Sequence, residues 1–98
     1  MTYLILYDIS EDRIRTHISK HLEERGCRRV QKSIFMAKTS IEKYHEIKDY
    51  LQQIQDEYDN DDTILFMPIS KKTLRDTYMI GNNTAFLDSV EDKKILIF

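Results

Sequence analysis

Apolar residues along the chain follow two spacings, one typical of strands and one typical of helices. Residues 3–7 are continuously apolar, which predicts a strand covered on both faces, or on one face and by a partner subunit on the other. Ile14, Ile18 and Leu22 then recur every four residues, the spacing of an amphipathic helix, and Gly26 supplies a C-terminal stop. The chain therefore opens with a predicted strand followed by a helix.

The middle of the chain predicts further strand and a second helix. Residues 28–38 are rich in β-forming residues and fit either one long bent strand or two short strands around Lys32–Ser33. Thr39 and Glu42 match the capping box that opens many helices. Apolar side chains then recur at three- and four-residue steps, at Ile41, Tyr44, Ile47, Leu51, Ile54 and Tyr58. A strand over residues 63–69 follows.

The order strand, helix, strand, helix, strand predicts an α+β protein with a ferredoxin-like, split βαβ sandwich. Its antiparallel sheet carries both helices on one face, and the other face is left open and partly apolar, which indicates a partner. We expect residues 1–81 to form this domain, with a polar connection at 71–75. Short strands predicted at 77–80 and 94–98 have no place in the sheet, so we expect the tail, residues 82–98, to dock on a dimer partner.

Composition narrows the class of protein. With 98 residues, 41% of them hydrophobic and 33% charged, the chain fits one globular domain. Cys27 is the single cysteine, which excludes an intrachain disulfide and a zinc knuckle. No apolar run approaches membrane-spanning length, and the N-terminus lacks the features of a signal peptide. We therefore expect no membrane partner and a cytoplasmic location.

Charge is distributed unevenly, although the net value is only -2. Residues 13–38 hold eight Lys or Arg and two acidic residues, a net of +6, whereas residues 40–62 hold eight acidic residues and two Lys, a net of -6. Such asymmetry indicates a polyanion such as nucleic acid on one face. The alternative is a pair of oppositely charged helices that face solvent.

Asp8 is the best candidate for chemistry because it follows the first strand, where the chain leaves the sheet. Sites in α/β-type sheets often gather at the carboxyl ends of strands. A carboxylate there can hold Mg²⁺, which takes one or two protein carboxylates and can activate water against a phosphodiester. In a twofold dimer, two Asp8 side chains could share one ion. The alternative, which position alone favours, is a helix-capping or solvent-facing Asp.

The helix after Asp8 carries two arginines and two histidines. Arg13 and Arg15 could bind nucleic-acid phosphates, because the guanidinium fork suits phosphate oxygens. The alternative is an ion pair with a neighbouring acid, which is favoured for Arg13. His17 and His21 share a helix face, but they lack the Glu of a zinc-protease motif and are assigned no metal.

Three residues of the predicted sheet are further candidates. Ser33 and Phe35 point the same way if their segment is extended, and the Ser33 hydroxyl could hydrogen-bond a phosphate. Phe35 and Tyr7 are interpreted as packing residues, with stacking on a base as the alternative.

Five short motifs, in order along the chain, resemble those of the CRISPR-associated protein 2 family. They are Tyr7-Asp8-Ile9, the helix bearing Arg15, the segment from Arg29 to Phe35 (RVQKSIF), the strand ILFMPIS and the sequence MIG at 79–81. The chain departs from the family at His17, where relatives often carry a basic residue, and at Lys32, where many carry an aromatic residue. These departures leave Asp8 in place.

The resemblance implies a ferredoxin-like homodimer whose C-terminal strand packs on the partner, with Asp8 of both subunits as the catalytic residue and shared Mg²⁺ ligand. It adds Arg29 to Arg13, Arg15 and Ser33 as candidates for nucleic-acid binding. It implies a role in CRISPR antiviral defence, in which the protein acquires new spacers with the CRISPR-associated integrase, protein 1. It also implies a metal-dependent endonuclease that acts on RNA or double-stranded DNA. A non-catalytic DNA-binding scaffold and a toxin-like RNase outside CRISPR defence are the alternatives.

Overall fold

A computed structural model describes residues 1–89, which fold into four strands and four helices. In chain order the elements are β1 (Thr2–Asp8), α1 (Asp12–Glu24), β2 (Arg28–Gln31), β3 (Ile34–Lys38), α2 (Ile41–Glu57), β4 (Thr63–Ile69), α3 (Lys71–Asp76) and α4 (Thr84–Ser89). The strands form one antiparallel sheet in the order β2-β3-β1-β4. The predicted α+β architecture is confirmed.

Helices α1 and α2 pack on one face of the sheet, against alternate residues of β1. Tyr3, Ile5 and Tyr7 are buried on that face. They meet the buried residues of the two helices, which are Ile14, Ile18 and Leu22 from α1 and Tyr44, Ile47, Leu51 and Ile54 from α2. The helical spacing in the sequence therefore predicted the core, because only one stripe of each helix can reach the sheet. Ile41 is the exception, since it belongs to the predicted stripe of α2 but is 48% exposed.

The ends of the two long helices are fixed by local hydrogen bonds. Gly26 ends α1 in the left-handed conformation, with φ of +81°, and the Cys27 N–H donates to the Leu22 carbonyl at 3.0 Å. At the start of α2, the Ser40 hydroxyl accepts from the Lys43 N–H at 3.3 Å. The predicted cap at Thr39 is therefore wrong by one residue.

Residues 28–38 form two strands, which settles the alternative left open by the sequence. β2 and β3 pair as a hairpin around a turn at Lys32–Ser33, and the register shifts between Arg29 and Gln31. This irregularity is of the kind that bends an edge strand.

The opposite face of the sheet is apolar and partly uncovered. Leu4 and Leu6 of β1 lie on it and pair directly with Met67 and Leu65 of β4. Leu65 is 52% exposed and Met67 is 47% exposed. The prediction of an open, partly apolar face is therefore confirmed for the β1–β4 side of the sheet.

Two predictions for the chain after β4 are wrong. The expected polar connection at 71–75 is the short helix α3, in which Ser70 caps the Thr73 N–H at 3.1 Å and buried Leu74 anchors the turn. The expected strand at 77–80 is not formed, and Met79 makes a single isolated bridge. A helix of six residues is too short to show a helical period of apolar residues in the sequence. Its formation depends instead on the Ser70 cap and on the burial of Leu74.

The described part of the tail packs on its own chain. Helix α4 lies beside β2, the Asn83 side-chain amide donates to the Val30 carbonyl, and Arg28 pairs with Asp88 at 3.3 Å. The predicted terminal strand at 94–98 lies outside the described residues. No helix within residues 1–89 has the length and apolar character needed to cross a bilayer.

Candidate functional site

Asp8 is the last residue of β1 and is exposed to solvent. The two-residue period of the strand places its side chain on the open face, on the same side as Leu4 and Leu6. Its carboxylate makes no hydrogen bond or ion pair with any residue from 1 to 89. An open pocket of about 300 Å³ adjoins it, lined mainly by apolar side chains of β1, β3 and β4. No residue from 1 to 89 therefore occupies this carboxylate.

One chain supplies few further metal ligands near Asp8. No group of three or more His, Cys, Asp and Glu side chains in the described part of the chain is arranged to hold a metal ion. Mg²⁺ needs only one or two protein carboxylates and keeps several waters. The exposed Asp8 carboxylate has the donor chemistry that such an ion requires.

Arg15 holds the loop that follows Asp8. Its Nη1 donates to the Ile9 carbonyl at 2.8 Å and to the Ser10 carbonyl at 3.2 Å, and its Nη2 pairs with Asp12. The guanidinium has five N–H groups, so these contacts leave some of them available. Arg15 is therefore partly committed to the backbone beside the candidate metal ligand.

A basic pocket of about 160 Å³ lies on the helix side of the same region. Its lining residues are polar or basic, apart from one ring, and they are Tyr7, Arg15, Thr16, Ser19, Arg29, Lys32 and Ser33. Burial raises the pKa of the Tyr7 hydroxyl, and the nearby positive charge of Arg29 offsets part of that rise. The structure therefore brings three predicted phosphate-binding residues, Arg15, Arg29 and Ser33, to one place.

Arg29 is positioned by three neighbours. Its guanidinium donates to the Lys32 carbonyl at 3.1 Å and to the Glu23 carboxylate at 3.4 Å, and it lies over the Phe35 ring at 5.0 Å. Phe35 itself is fully buried and stacks with Tyr7, with ring centroids 6.3 Å apart. Both rings are thus placed in the interior, where they support the basic pocket.

Arg13 does not line this pocket. It pairs with Glu11 at 3.3 Å and lies over the Tyr58 ring at 5.2 Å, on the side of α1 that faces α2. The structure therefore separates Arg13 from the other predicted phosphate-binding residues.

The two histidines of α1 join an aromatic cluster between the helices. The His17 ring nitrogens lie 3.1 Å from the Tyr58 hydroxyl and 3.4 Å from the Tyr50 hydroxyl. His21 is buried and stacks on Tyr50 with ring centroids 3.8 Å apart, and its Nε2 has no hydrogen-bond partner within residues 1–89. Burial, with the positive charge of Arg25, lowers the pKa of His21.

Sequence reasoning missed a polar contact beside Asp8. The Asp62 carboxylate accepts from both the N–H and the hydroxyl of Ser10, at 3.0 and 3.1 Å. Asp62 belongs to the acidic run that follows α2, and nothing in its local pattern links it to a residue 52 positions earlier. Only the pairing of β1 with β4, which sets Asp8 opposite Thr63, brings the two loops together.

Comparison with known proteins decides the family. The family described as CRISPR associated protein Cas2 matches residues 1–77, more than half of the chain. The chain belongs to this family. The predicted resemblance is therefore confirmed.

Relatives of this Cas2-family chain include two named CRISPR-associated endoribonuclease Cas2. The relative from Aeropyrum pernix is 35% identical over 94 residues, which cover 96% of this chain and 94% of the relative. The relative from a Synechocystis species is 38% identical over 72 residues, which cover 74% of this chain and 75% of the relative.

A solved structure agrees with the fold. The crystal structure of Streptococcus pyogenes Cas2 at pH 6.5 aligns with 83% of this chain and 100% of that chain, with a TM-score of 0.66 and 27% identity. The predicted ferredoxin-like fold is therefore confirmed by its similarity to the crystal structure of a Cas2 protein.

Proposed function

We propose that this Cas2-family chain forms a homodimer that acts as a Mg²⁺-dependent endonuclease in the adaptation stage of CRISPR antiviral defence. The observation that carries the proposal is the exposed Asp8 carboxylate at the end of β1, which has no partner within residues 1–89. A carboxylate left free at a strand end is suited to hold a hard cation. The name endoribonuclease carried by the relatives supports RNA as the first substrate to test, and double-stranded DNA is the second.

A second subunit would complete the site. Asp8 lies on the open face of the sheet, where Leu65 and Met67 leave about half of their surface exposed. Apolar side chains of this size are stabilised by burial against a partner. Packing two such faces about a twofold axis would place one Asp8 from each subunit at the same interface. The Asp8 pair would then be the shared metal ligand and the catalytic residues.

The basic pocket would bind the substrate backbone. Arg29, Lys32 and Ser33 line it together, and their N–H and hydroxyl donors suit phosphate oxygens. When bound, Mg²⁺ would supply Lewis-acid activation of water and would neutralise charge on the phosphodiester. Asp8 would hold the ion, and the pocket residues would fix the register of the strand to be cut.

The two arginines of α1 would contribute differently. Arg15 holds two backbone carbonyls after Asp8 and would reach phosphate only with its remaining N–H groups. Arg13 is exposed on the α2 side and would contact a phosphate further along the nucleic acid.

The proposed partners follow from the family. Membership in the Cas2 family supports a complex with the CRISPR-associated integrase, protein 1, in the cytoplasm, where the two would acquire new spacers. A non-catalytic DNA-binding scaffold is the second candidate, and the basic segment 13–38 favours it because phosphate binding needs no metal. A toxin-like RNase outside CRISPR defence has no comparable support.

The test is cleavage of RNA and of duplex DNA by the wild type and by Asp8→Ala, with Mg²⁺ and with a chelator. Asp61→Ala is the matched control, since Asp61 is an exposed acid whose side chain has no hydrogen bond or ion pair with residues 1–89. We expect Asp8→Ala to lower cleavage by at least roughly a hundredfold, and the control to match the wild type. Equal cleavage by wild type and Asp8→Ala would overturn the proposal. A wild type that binds duplex DNA in a salt-dependent manner without cutting either substrate would favour the scaffold.

A further inference from the structure

The short loop between β1 and α1 is held on one side by Asp62. The N–H and the hydroxyl of Ser10 both donate to Asp62 Oδ2, at 3.0 and 3.1 Å. These bonds join the residue two positions after Asp8 to the residue immediately before β4. Asp8 pairs with Thr63 across the two strands. The two Ser10–Asp62 bonds therefore lie just beyond the end of the β1–β4 pairing that contains Asp8.

Asp62 is itself held in place by the loop that leads into β4. Its N–H donates to Asn60 Oδ1 at 2.9 Å, and its carbonyl accepts from Gln55 Nε2 at 2.7 Å. The Asn60 amide in turn donates to Gln55 Oε1 at 3.2 Å. The backbone of Asp62 is therefore held on both its N–H and its carbonyl, which fixes the position from which its carboxylate accepts from Ser10.

The opposite side of the same loop is held by Arg15. Its Nη1 donates to the carbonyls of Ile9 and Ser10. The backbone after Asp8 is thus fixed through its carbonyls by Arg15 and through the Ser10 N–H by Asp62. The Asp8 side chain has no partner among residues 1–89, so these neighbouring bonds act on the backbone that carries it.

We propose that Asp62 is a positioning residue for Asp8: its bonds to Ser10 would fix the backbone that follows Asp8, and the Asp8 carboxylate would then bind a divalent cation more tightly. This rests on the proposed function, in which Asp8 holds that cation. The contact requires a hydrogen-bond acceptor at residue 62, because both Ser10 groups donate to it. It does not require a charge there. Outer partners that orient a metal ligand change metal affinity without touching the ion.

The test compares Asp62→Ala with Asp62→Asn, since Asn keeps the acceptor and removes the charge. The readouts are Mn²⁺ affinity, measured by electron paramagnetic resonance as a stand-in for Mg²⁺, and amide hydrogen exchange at Ser10 in metal-free protein. We expect Asp62→Ala to weaken Mn²⁺ binding by roughly tenfold and to speed exchange at Ser10. We expect Asp62→Asn to restore both toward the wild-type values.

Three further variants complete the design. Ser10→Ala removes the hydroxyl bond but keeps the N–H bond, so we expect a smaller loss of affinity than in Asp62→Ala. If Asp62→Ala fails to fold, the Mn²⁺ affinity of Ser10→Ala tests the proposal in its place. Asp61→Ala controls for the loss of one nearby negative charge, and we expect it to bind Mn²⁺ like the wild type. Asp8→Ala removes the proposed ligand and measures the Mn²⁺ binding that remains without it.

The possible results separate this inference from the proposed function. Asp62→Ala with wild-type Mn²⁺ affinity, or Asp62→Asn as weak as Asp62→Ala, would overturn the positioning role. The second of these results would indicate that the charge of Asp62 acts on the ion directly. If the wild type and Asp8→Ala bind Mn²⁺ equally poorly, the proposed function fails, and the positioning role fails with it.

Discussion

At the scale of single residues, the environment of His21 constrains its protonation. It is buried between α1 and α2 and stacks on Tyr50, and its Nε2 has no partner within residues 1–89. A proton on this ring would place a charge in an apolar site beside Arg25 and His17, and Glu24 offsets only part of that cost. The folded protein therefore favours the neutral ring.

The pH dependence of stability follows from this preference. The pKa of His21 lies below its usual 6.5 in the folded protein, so the unfolded chain takes up the proton first as pH falls. The contribution of neutral His21 to the free energy of unfolding is therefore complete above about pH 6.5, and it is lost as pH falls through the lowered pKa of His21. We expect His21→Phe, which keeps the stacked ring, to remove this part of the acid sensitivity. Urea unfolding at a series of pH values from 7 to 5 measures it.

Gln53→Ala provides the control for that experiment, because Gln53 is exposed on α2 and carries no titratable group. This variant should leave the slope of stability against pH unchanged. An identical slope for wild type and His21→Phe would contradict the assignment to His21.

At the scale of secondary-structure elements, the start of α2 gives a sharp comparison between two adjacent hydroxyl side chains. The Ser40 hydroxyl caps the helix by accepting from the Lys43 N–H, whereas the Thr39 backbone N–H donates to the Met1 carbonyl at 2.9 Å. We expect Ser40→Ala to lower the free energy of unfolding by about 1 kcal/mol, because one N–H at the helix end loses its acceptor. Urea unfolding of Ser40→Ala and Thr39→Ala measures the difference, and Thr39→Ala should lie close to the wild type.

The elements also show which parts of the fold the sequence could predict. The long helices and β1 were predictable because their buried stripes repeat with a fixed period, as in Ile14, Ile18 and Leu22. Helix α3 was missed because six residues with one buried anchor, Leu74, carry no period. Asp8 was predictable as a strand-end carboxylate, but the bond between Ser10 and Asp62 depends on the pairing of β1 with β4 and joins residues 52 positions apart.

At the scale of the whole molecule, the open face of the sheet has consequences for assembly. Leu65 and Met67 lie exposed next to Leu4 and Leu6 and on the same face as Asp8. Burying a leucine side chain contributes roughly 1.5–3 kcal/mol to the free energy of association. In a twofold interface the same residue of both subunits is buried, so this contribution is made twice. The proposed dimer therefore depends strongly on this surface.

We expect Leu65→Asp to raise the dissociation constant of the dimer by at least about a hundredfold. Light scattering coupled to size-exclusion chromatography, over a series of protein concentrations, measures the change. Ile41→Asp is the control, because Ile41 is 48% exposed but lies at the start of α2, on the other side of the sheet. A Leu65→Asp protein as dimeric as the control would contradict the assignment of the interface to this face.

The placement of Cys27 makes the chain convenient for spectroscopy. The thiol is buried at the end of α1, and burial raises its pKa to about 11, so very little reactive thiolate forms at neutral pH. Maleimide reagents should leave the native protein unlabelled and react only after unfolding. A cysteine introduced at the exposed Glu42 would then be the single labelled position in each chain. Two such labels in one dimer would report the distance between subunits without removal of the native sulfur.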